Sequence, residues 1–391
     1  GEFPVASGAA LLLVFCLNSL SIEWLLSRGR LQNSVGMLLH YINAHGSLAV
    51  TATIVWRYIE SPAVGSTLLF HAVIVWMKLV SYALANEDYR TSVDFDTHHL
   101  TLALLKDLEP GASDIKYPQN VTFSNMMYFL FAPTLTYQIA FPRTRRVSIF
   151  KVVTLLVRLF IVVSLFIFLT AQIITPYLKS LAKALEETSG RFTVDILAEY
   201  ALKLSIANMY CWLLMFYGFF HLYLNLTGEL LRFGDRVFYR DWWNSSEVSA
   251  YWRLWNTPVH YWLVRHVYFP CVRLGMSRTA ATFSVFFLSA VVHELLISVP
   301  FHMMRPWIYM GMMMQIPLVW TTKWLNRRLP GSLANAVFWL AFFFGQPLCV
   351  MLYTIDYQAK QMGSTWIFDN QFCLAQFVGG SCSVASHSDE L

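Results

Sequence analysis

The sequence predicts an all-α polytopic membrane protein, and its composition, its apolar runs and the charges between those runs support this fold class. Of the 391 residues, 57% are hydrophobic and only 13% are charged. Soluble domains carry about 25% charged residues, so this composition excludes an ordinary soluble domain. The many aromatic side chains suit lipid-facing surfaces and interfacial belts. The basic residues form no continuous stripe, so nucleic-acid binding is not predicted.

Eight apolar runs follow one another, and each approaches the length of about 20 residues that crosses a bilayer. They lie at about 8–26, 36–57, 64–85, 149–176, 200–228, 279–300, 305–325 and 333–354. Each is predicted to be a membrane helix. We expect a single domain over residues 1–357 and a polar tail at 358–391.

The charges of the loops predict an orientation. Basic residues follow the first and seventh runs and precede the fourth, and seven arginines lie between the fifth and sixth runs. Placing these loops in the cytosol makes the sides alternate consistently through all eight runs. The C-terminus is then lumenal, and its Ser-Asp-Glu-Leu ending is close to an endoplasmic reticulum retention signal. The N-terminus would begin on the lumenal side without a signal peptide, so we expect at least one membrane helix upstream of this sequence.

The run 279–300 carries the first candidate catalytic residue, His293. Apart from the adjacent Glu294 it holds no other ionisable residue, and an ionisable residue inside a membrane segment is a functional-site hypothesis by default. Apolar surroundings disfavour the imidazolium, and a neutral imidazole is what a general base requires. Ser289, four residues earlier, shares its helix face and could hydrogen-bond the substrate or the imidazole. The alternative is a structural histidine in the helix core.

A second candidate group is Trp255–His260, with the sequence WNTPVH. Asn256 could donate an amide hydrogen bond to a developing oxyanion. His260 is a second candidate base that ranks below His293. The alternative for Asn-Thr-Pro is a bend between two interfacial helices.

Two further motifs combine polar groups with apolar surroundings. In Phe238–Asn244 (FYRDWWN), aromatic residues alternate with Arg and Asp, which suits a folded loop that stacks an adenine and pairs with phosphates. A plain interfacial anchor is the alternative. Gln346 lies between Gly345 and Pro347, which predicts a broken helix with the glutamine turned toward a cavity.

Several motifs are absent from the sequence. There is no GxSxG nucleophile elbow, no HExxH motif and no P-loop. No CxxC pair is present either, so a structural zinc site is not predicted. We expect no bound metal or cofactor. Cys373 and Cys382 could form a disulfide in a lumenal tail or stay as free thiols. A histidine without a partner nucleophile indicates that it acts directly as a base. The alternative from another functional class is a transporter in which the intramembrane histidine and glutamate relay protons.

FYRDWWN, the His-Glu pair in VVHELLISVP, FAPTLTY and the spacing between them resemble the membrane-bound O-acyltransferase family. The resemblance runs from about residue 8 to 357 and is closest to the branch that acylates sterols and diacylglycerol. Within that branch WNTPVHYW, GMMMQIPL and GQP resemble the type 1 diacylglycerol enzymes more than the sterol enzymes. Those enzymes have one membrane helix more than the eight counted here, which agrees with the charge argument.

The resemblance implies a helical bundle around an intramembrane reaction chamber, in which acyl-CoA and diacylglycerol are converted to triacylglycerol. A sterol or long-chain alcohol is the alternative acceptor. By resemblance His293 is the catalytic histidine, assisted by Asn256 and Glu294, and the subunits associate as dimers or tetramers in the endoplasmic reticulum membrane. The residues predicted to bind acyl-CoA or line the chamber are Phe238, Tyr239, Arg240, Asp241, Trp242, Trp243, Asn244, Trp255, His260, Tyr268, Ser289 and Gln346.

Overall fold

The computed structural model describes residues 3–91, 115–187 and 194–361, and the regular elements in these ranges are helices. The helices are α1 Phe3–Ser27, α2 Asn33–Tyr58, α3 Pro62–Thr91, α4 Phe123–Phe131, α5 Ile149–Leu169, α6 Thr175–Glu187, α7 Val194–Phe216, α8 Leu224–Leu230, α9 Val248–Leu254, α10 Thr257–Leu263, α11 Phe269–Arg273, α12 Arg278–Ser298, α13 Trp307–Met313, α14 Gln315–Asn326 and α15 Gly331–Gln361. Within the described ranges, five helical stretches are long and apolar enough to cross a membrane: Pro4–Ser27, Pro62–Thr91, Ile149–Leu181, Ala198–Leu230 and Arg278–Ser298. The prediction of an all-α multi-pass membrane protein is confirmed. The intramembrane reaction chamber stays a prediction.

The remaining predicted runs also fall on helices. The run 36–57 lies within α2, and 305–325 is divided between α13 and α14. The run 333–354 lies within α15, which continues through Gly345–Pro347. The predicted break at that motif is therefore wrong. Helix-breaking residues are tolerated in membrane helices, where neighbouring groups satisfy the carbonyl that proline leaves free.

The chain forms two compact units. The first comprises Gly1–Ser164 and Leu214–Leu340, and the second comprises Leu165–Leu213 and Ala341–Leu391. The second unit has its own apolar cluster, formed by Leu181, Tyr200, Leu204 and Met351. All the predicted site residues except Gln346 belong to the first unit. Cys373, Cys382 and the Ser-Asp-Glu-Leu ending lie outside the described residues.

Helices α1, α2 and α3 pack together around a buried carboxylate. Glu23 of α1 is fully buried and pairs with the Arg90 guanidinium of α3. His40 Nε2 of α2 lies 3.2 Å from the same carboxylate, and the Tyr117 hydroxyl donates to it at 2.8 Å. These contacts join three helices to the segment that precedes α4.

A buried lysine joins α3 to α4. The Lys78 ammonium group of α3 donates to the carbonyl oxygens of Phe129 and Ala132, each at 2.7 Å. These carbonyls lie at the C-terminal end of α4, where helical carbonyls lack intrahelical partners and a cation is favourable. The Trp262 indole of α10 also donates a hydrogen bond to the Met77 carbonyl oxygen of α3, at 2.8 Å. Helix α3 thus positions α4 and α10.

In the part of the chain that the structure describes, three π-helical turns each connect two consecutive helices, at Thr170–Ile174, Tyr217–Tyr223 and Val264–Tyr268. Such turns insert an extra residue and are frequent at functional sites. The turn at Val264–Tyr268 connects α10 to α11 and carries His266. Its Nε2 lies 2.9 Å from the Ser81 hydroxyl, which also accepts a hydrogen bond from the Tyr137 amide. This turn packs against α12, the helix of the candidate base.

Candidate active site

Helix α12 places His293 and Ser289 on one face, as the sequence predicts. The helix begins after Ser277, whose hydroxyl accepts a hydrogen bond from the Ala280 amide at 3.2 Å. Serine at this capping position satisfies an amide that would otherwise lack a partner. The helix packs against α3 and against the π turn at Val264–Tyr268.

The contacts of His293 determine its tautomer. Nδ1 lies 2.7 Å from the Ser289 carbonyl oxygen and 3.3 Å from the Ser289 hydroxyl. A carbonyl oxygen only accepts, so Nδ1 carries the proton of the neutral ring. Nε2 then presents a lone pair, and no protein group in the described ranges hydrogen-bonds to it. The ring is partly buried. This arrangement suits a general base.

Glu294 extends toward a different part of the structure. One carboxylate oxygen accepts from the Ser298 hydroxyl, and the other accepts from the Tyr309 amide at 2.8 Å. Tyr309 lies in the first turn of α13, where amides lack intrahelical acceptors and a negative charge is favourable. Because adjacent residues on a helix do not face each other, Glu294 does not share the orientation of His293. Its contacts fit a residue that holds α13 against α12.

Asn256 caps α10 and keeps its amide donors available. Its Oδ1 accepts from the Val259 amide at 3.2 Å, which confirms a bend between α9 and α10. This contact leaves the Nδ2 hydrogens for a further acceptor, since Oδ1 and Nδ2 are opposite sides of one amide group. Thr257, the next residue, is buried and donates through its hydroxyl to the Val237 carbonyl. This hydrogen bond holds the start of α10, next to Asn256, against the segment that precedes FYRDWWN.

The motif FYRDWWN divides into buried anchors and exposed polar groups. Phe238 and Trp242 are each only 2% exposed. The other members are partly or largely exposed: Tyr239, Arg240, Asp241, Trp243 and Asn244. The buried rings suit an anchor and the exposed groups suit anion recognition, so both interpretations of the motif keep a structural basis.

Residues that sequence reasoning missed hold this loop in place. Asn335 of α15 donates to the carbonyl oxygens of Trp243 and Ser245 at 2.9 and 2.7 Å. The Trp339 indole also donates to Trp243 O, at 3.1 Å. Tyr239 lies 2.7 Å, through its hydroxyl, from Nδ1 of His221 in the π turn Tyr217–Tyr223. No local sequence signal links these residues to the loop, because each contact joins distant parts of the chain.

The remaining predicted residues lie in varied positions. Trp255 stacks on Tyr251 with ring centroids 5.8 Å apart. His260 is partly buried, and burial together with Arg253 lowers the pKa of His260. Tyr268 closes the π turn beside α11. Gln346 falls in α15, in a stretch whose side chains lie outside the description.

Helix α9 brings the Asn256 segment toward the helix of His293. The Trp252 ring of α9 contacts Phe286 of α12, with centroids 6.1 Å apart. Phe286 lies about two turns before His293 on that helix. In the described ranges, no three His, Cys, Asp or Glu side chains come together as a metal site would require.

The family model for membrane-bound O-acyltransferases matches residues 10–355. The chain belongs to the membrane-bound O-acyltransferase family. Its relatives include diacylglycerol O-acyltransferase 1 of Corylus americana, which is 41% identical over 91% of this chain and 64% of its own length. Diacylglycerol O-acyltransferase 1-2 of Oryza sativa subsp. japonica is 38% identical over 93% of the chain and 74% of its own length. Diacylglycerol O-acyltransferase 1 of Bos taurus is 37% identical over 88% of the chain and 69% of its own length. The chain therefore spans about two thirds of the length of these relatives.

Proposed function

We propose that the chain is an acyl-CoA:diacylglycerol O-acyltransferase that makes triacylglycerol, with acyl-CoA as co-substrate and without a bound cofactor. The observation that carries the proposal is the hydrogen bond from His293 Nδ1 to the Ser289 carbonyl, because it leaves Nε2 as a base. Diacylglycerol is proposed as the acceptor because the relatives are named diacylglycerol O-acyltransferases. Acyl transfer is proposed as the reaction because the chain belongs to an O-acyltransferase family.

In this mechanism Nε2 of His293 takes the proton from the free hydroxyl of diacylglycerol. The hydroxyl oxygen attacks the thioester carbonyl of acyl-CoA, and the carbonyl π electrons move to the oxygen. When the tetrahedral intermediate collapses, the carbon–sulfur bond breaks and the coenzyme A thiolate leaves. The imidazolium returns its proton to that thiolate, so His293 ends the cycle neutral. No acyl-enzyme is formed.

Asn256 and Glu294 support this step in different ways. The Nδ2 hydrogens of Asn256 donate to the acyl carbonyl as negative charge develops on it. Glu294 is a positioning residue, because its carboxylate joins α12 to the first turn of α13 through Tyr309. Ser289 orients the imidazole by accepting from Nδ1.

The loop FYRDWWN is the proposed contact for coenzyme A. Arg240 is exposed and available for a phosphate, while the buried Trp242 anchors the loop in the protein interior. An exposed Trp243 face, 40% accessible, suits stacking with adenine. Trp255 follows the last residue of α9 and His260 lies in α10, and both would border the acyl chain.

The setting is proposed from the loop charges and the tail. Acyl-CoA reaches the site from the cytosol, diacylglycerol enters from the bilayer, and the C-terminus is lumenal in the endoplasmic reticulum membrane. We infer association as dimers or tetramers from the family.

Competition between acceptors tests the proposed substrate. The purified chain is given labelled oleoyl-CoA with diacylglycerol and a sterol at equal concentration, and the products are separated by thin-layer chromatography. The proposal predicts label in triacylglycerol. Label in sterol ester would refute the acceptor and keep the mechanism, and acyl transfer by detergent-purified protein would exclude pure transport, since no membrane separates two compartments.

A further inference from the structure

The end of α1 carries two arginines stacked on one tryptophan. The Arg28 guanidinium carbon lies 4.3 Å from the centroid of the Trp24 ring, and that of Arg30 lies 5.5 Å away. Gly29 lies between them with φ +66, a left-handed conformation that glycine adopts without strain. Its amide and that of Arg30 return to carbonyls of the last helical turn. The turn therefore brings both guanidinium groups back over the same ring.

Beside this ring lies an open cleft of about 520 Å³. Its walls come from α1 and from the segment that begins α4, and its lining residues are Leu20, Ser21, Trp24, Leu25, Val121 and Phe123. Phe123 is 60% exposed and Trp24 is 38% exposed. Ligand pockets commonly occupy about 300–1,000 Å³, so the cleft has room for part of a lipid acyl chain.

The two arginines provide positive charge at the mouth of this apolar cleft. Both are exposed, and no carboxylate in the described ranges pairs with either one. A guanidinium that stacks through its face still has its N–H groups at the edges for a phosphate. The loop charges predict that this end of α1 is cytosolic, and the cytoplasmic leaflet carries anionic lipids.

We propose that this cleft binds an anionic glycerophospholipid, with its phosphate between Arg28 and Arg30 and one acyl chain along Trp24 and Phe123. Helix α1 is a candidate membrane span, so its end meets the headgroup level, where phosphate and acyl chain are adjacent. None of the residues at this site belongs to the candidate active site. The site is a second lipid site, and it does not depend on the proposed reaction.

The chain offers a matched control at the end of α14. The Arg328 guanidinium carbon lies 4.3 Å from the centroid of the Trp324 ring, and both residues are exposed. The loop charges predict the same side of the membrane for this pair. Neither residue lines the cleft beside α1. A general attraction of surface arginines to anionic lipid would act equally on both places.

Photolabelling tests the proposal. The purified chain in phosphatidylcholine nanodiscs receives a trace of phosphatidylserine with a diazirine on its acyl chain, or phosphatidylcholine with the same chain. After irradiation, labelled residues are located by mass spectrometry. We expect about tenfold more label on Leu20–Leu25 or Val121–Phe123 from the anionic probe.

Two kinds of variant distinguish recognition of the lipid headgroup from binding of its acyl chain. Arg28→Gln with Arg30→Gln should lower that label about tenfold, whereas Arg328→Gln should leave it unchanged. Ser21→Phe keeps the charge and fills the cleft, so it should also reduce labelling there. All four positions are exposed, and circular dichroism verifies folding.

Three results would overturn the proposal. They are equal labelling by the two probes, an equal loss of label in Arg328→Gln, and an unlabelled cleft in the wild-type chain. The last would mean that a protein segment or another molecule occupies the cleft.

Discussion

Replacing Glu23 by Gln should lower the free energy of unfolding by about 3–5 kcal/mol. The Glu23 side chain is fully buried, and the side chain of its partner Arg90 is only 14% exposed. Removing one partner of a buried ion pair leaves the other charge uncompensated, and this is the source of the estimate. The Tyr117 hydrogen bond adds nothing to it, because a glutamine carbonyl still accepts from that hydroxyl. Burial raises the pKa of Tyr117 to about 12, so the hydroxyl remains a donor at working pH.

Unfolding of the purified protein by SDS in mixed micelles, followed by tryptophan fluorescence, measures this loss. Glu199→Gln is the matched control, because Glu199 pairs with Lys203 on the surface, where the side chains are 55% and 41% exposed. Exposed ion pairs contribute little to stability, so no measurable change in the free energy of unfolding is expected for Glu199→Gln. Equal behaviour of the two variants, or a loss below about 1 kcal/mol for Glu23→Gln, would refute the role of the buried carboxylate.

Three further predictions concern packing, pH and the candidate oxyanion contact. Gly36→Ala should destabilise the protein by about 1–3 kcal/mol in the same titration, because its Cβ would lie 2.4 Å from a methyl group of buried Leu26. Gly46→Ala, whose Cβ meets only an ordinary contact at 3.5 Å, should not destabilise it. Stability should fall as the pH drops from about 6.5 toward 3, because burial holds the pKa of folded His266 at about 3 while the unfolded side chain takes up its proton near 6.5. His266→Gln should show a smaller fall over that window, and an identical pH profile would contradict the assignment. Asn256→Asp keeps the capping oxygen and loses the amide donor, so turnover should fall about 10²–10³-fold with unfolding unchanged, whereas wild-type turnover would contradict the proposed contact.

The sequence predicts those features whose causes are local. The apolar run 279–300 is long enough to form a membrane helix, and the spacing of four residues places Ser289 beside His293. Asn-Thr-Pro predicts the bend because asparagine caps a helix and proline suits its first turn.

Features that depend on distant partners could not be predicted. Glu294 reaches Tyr309 across the turn between two helices, and the neighbouring histidine gives no indication of that contact. Glu23 meets Arg90 and Tyr117, which lie 67 and 94 residues away. Periodicity carries little information here, since a lipid-embedded helix can be apolar on every side. The predicted break at Gly345–Pro347 failed for a related reason, because the neighbours of a membrane helix decide whether it tolerates proline.

Turnover of His293→Ala tests the central claim, and the chain offers a close control. His71 of α3 makes the same local contact as His293, from Nδ1 to the carbonyl oxygen four residues earlier at 2.7 Å, but it is exposed. With labelled oleoyl-CoA and diacylglycerol, folded His293→Ala should retain less than about a tenth of wild-type turnover, since a general base contributes about 10²–10⁴-fold. His71→Ala should retain wild-type turnover. Folded His293→Ala with more than about a tenth of the wild-type turnover would contradict the assignment of His293 as the base.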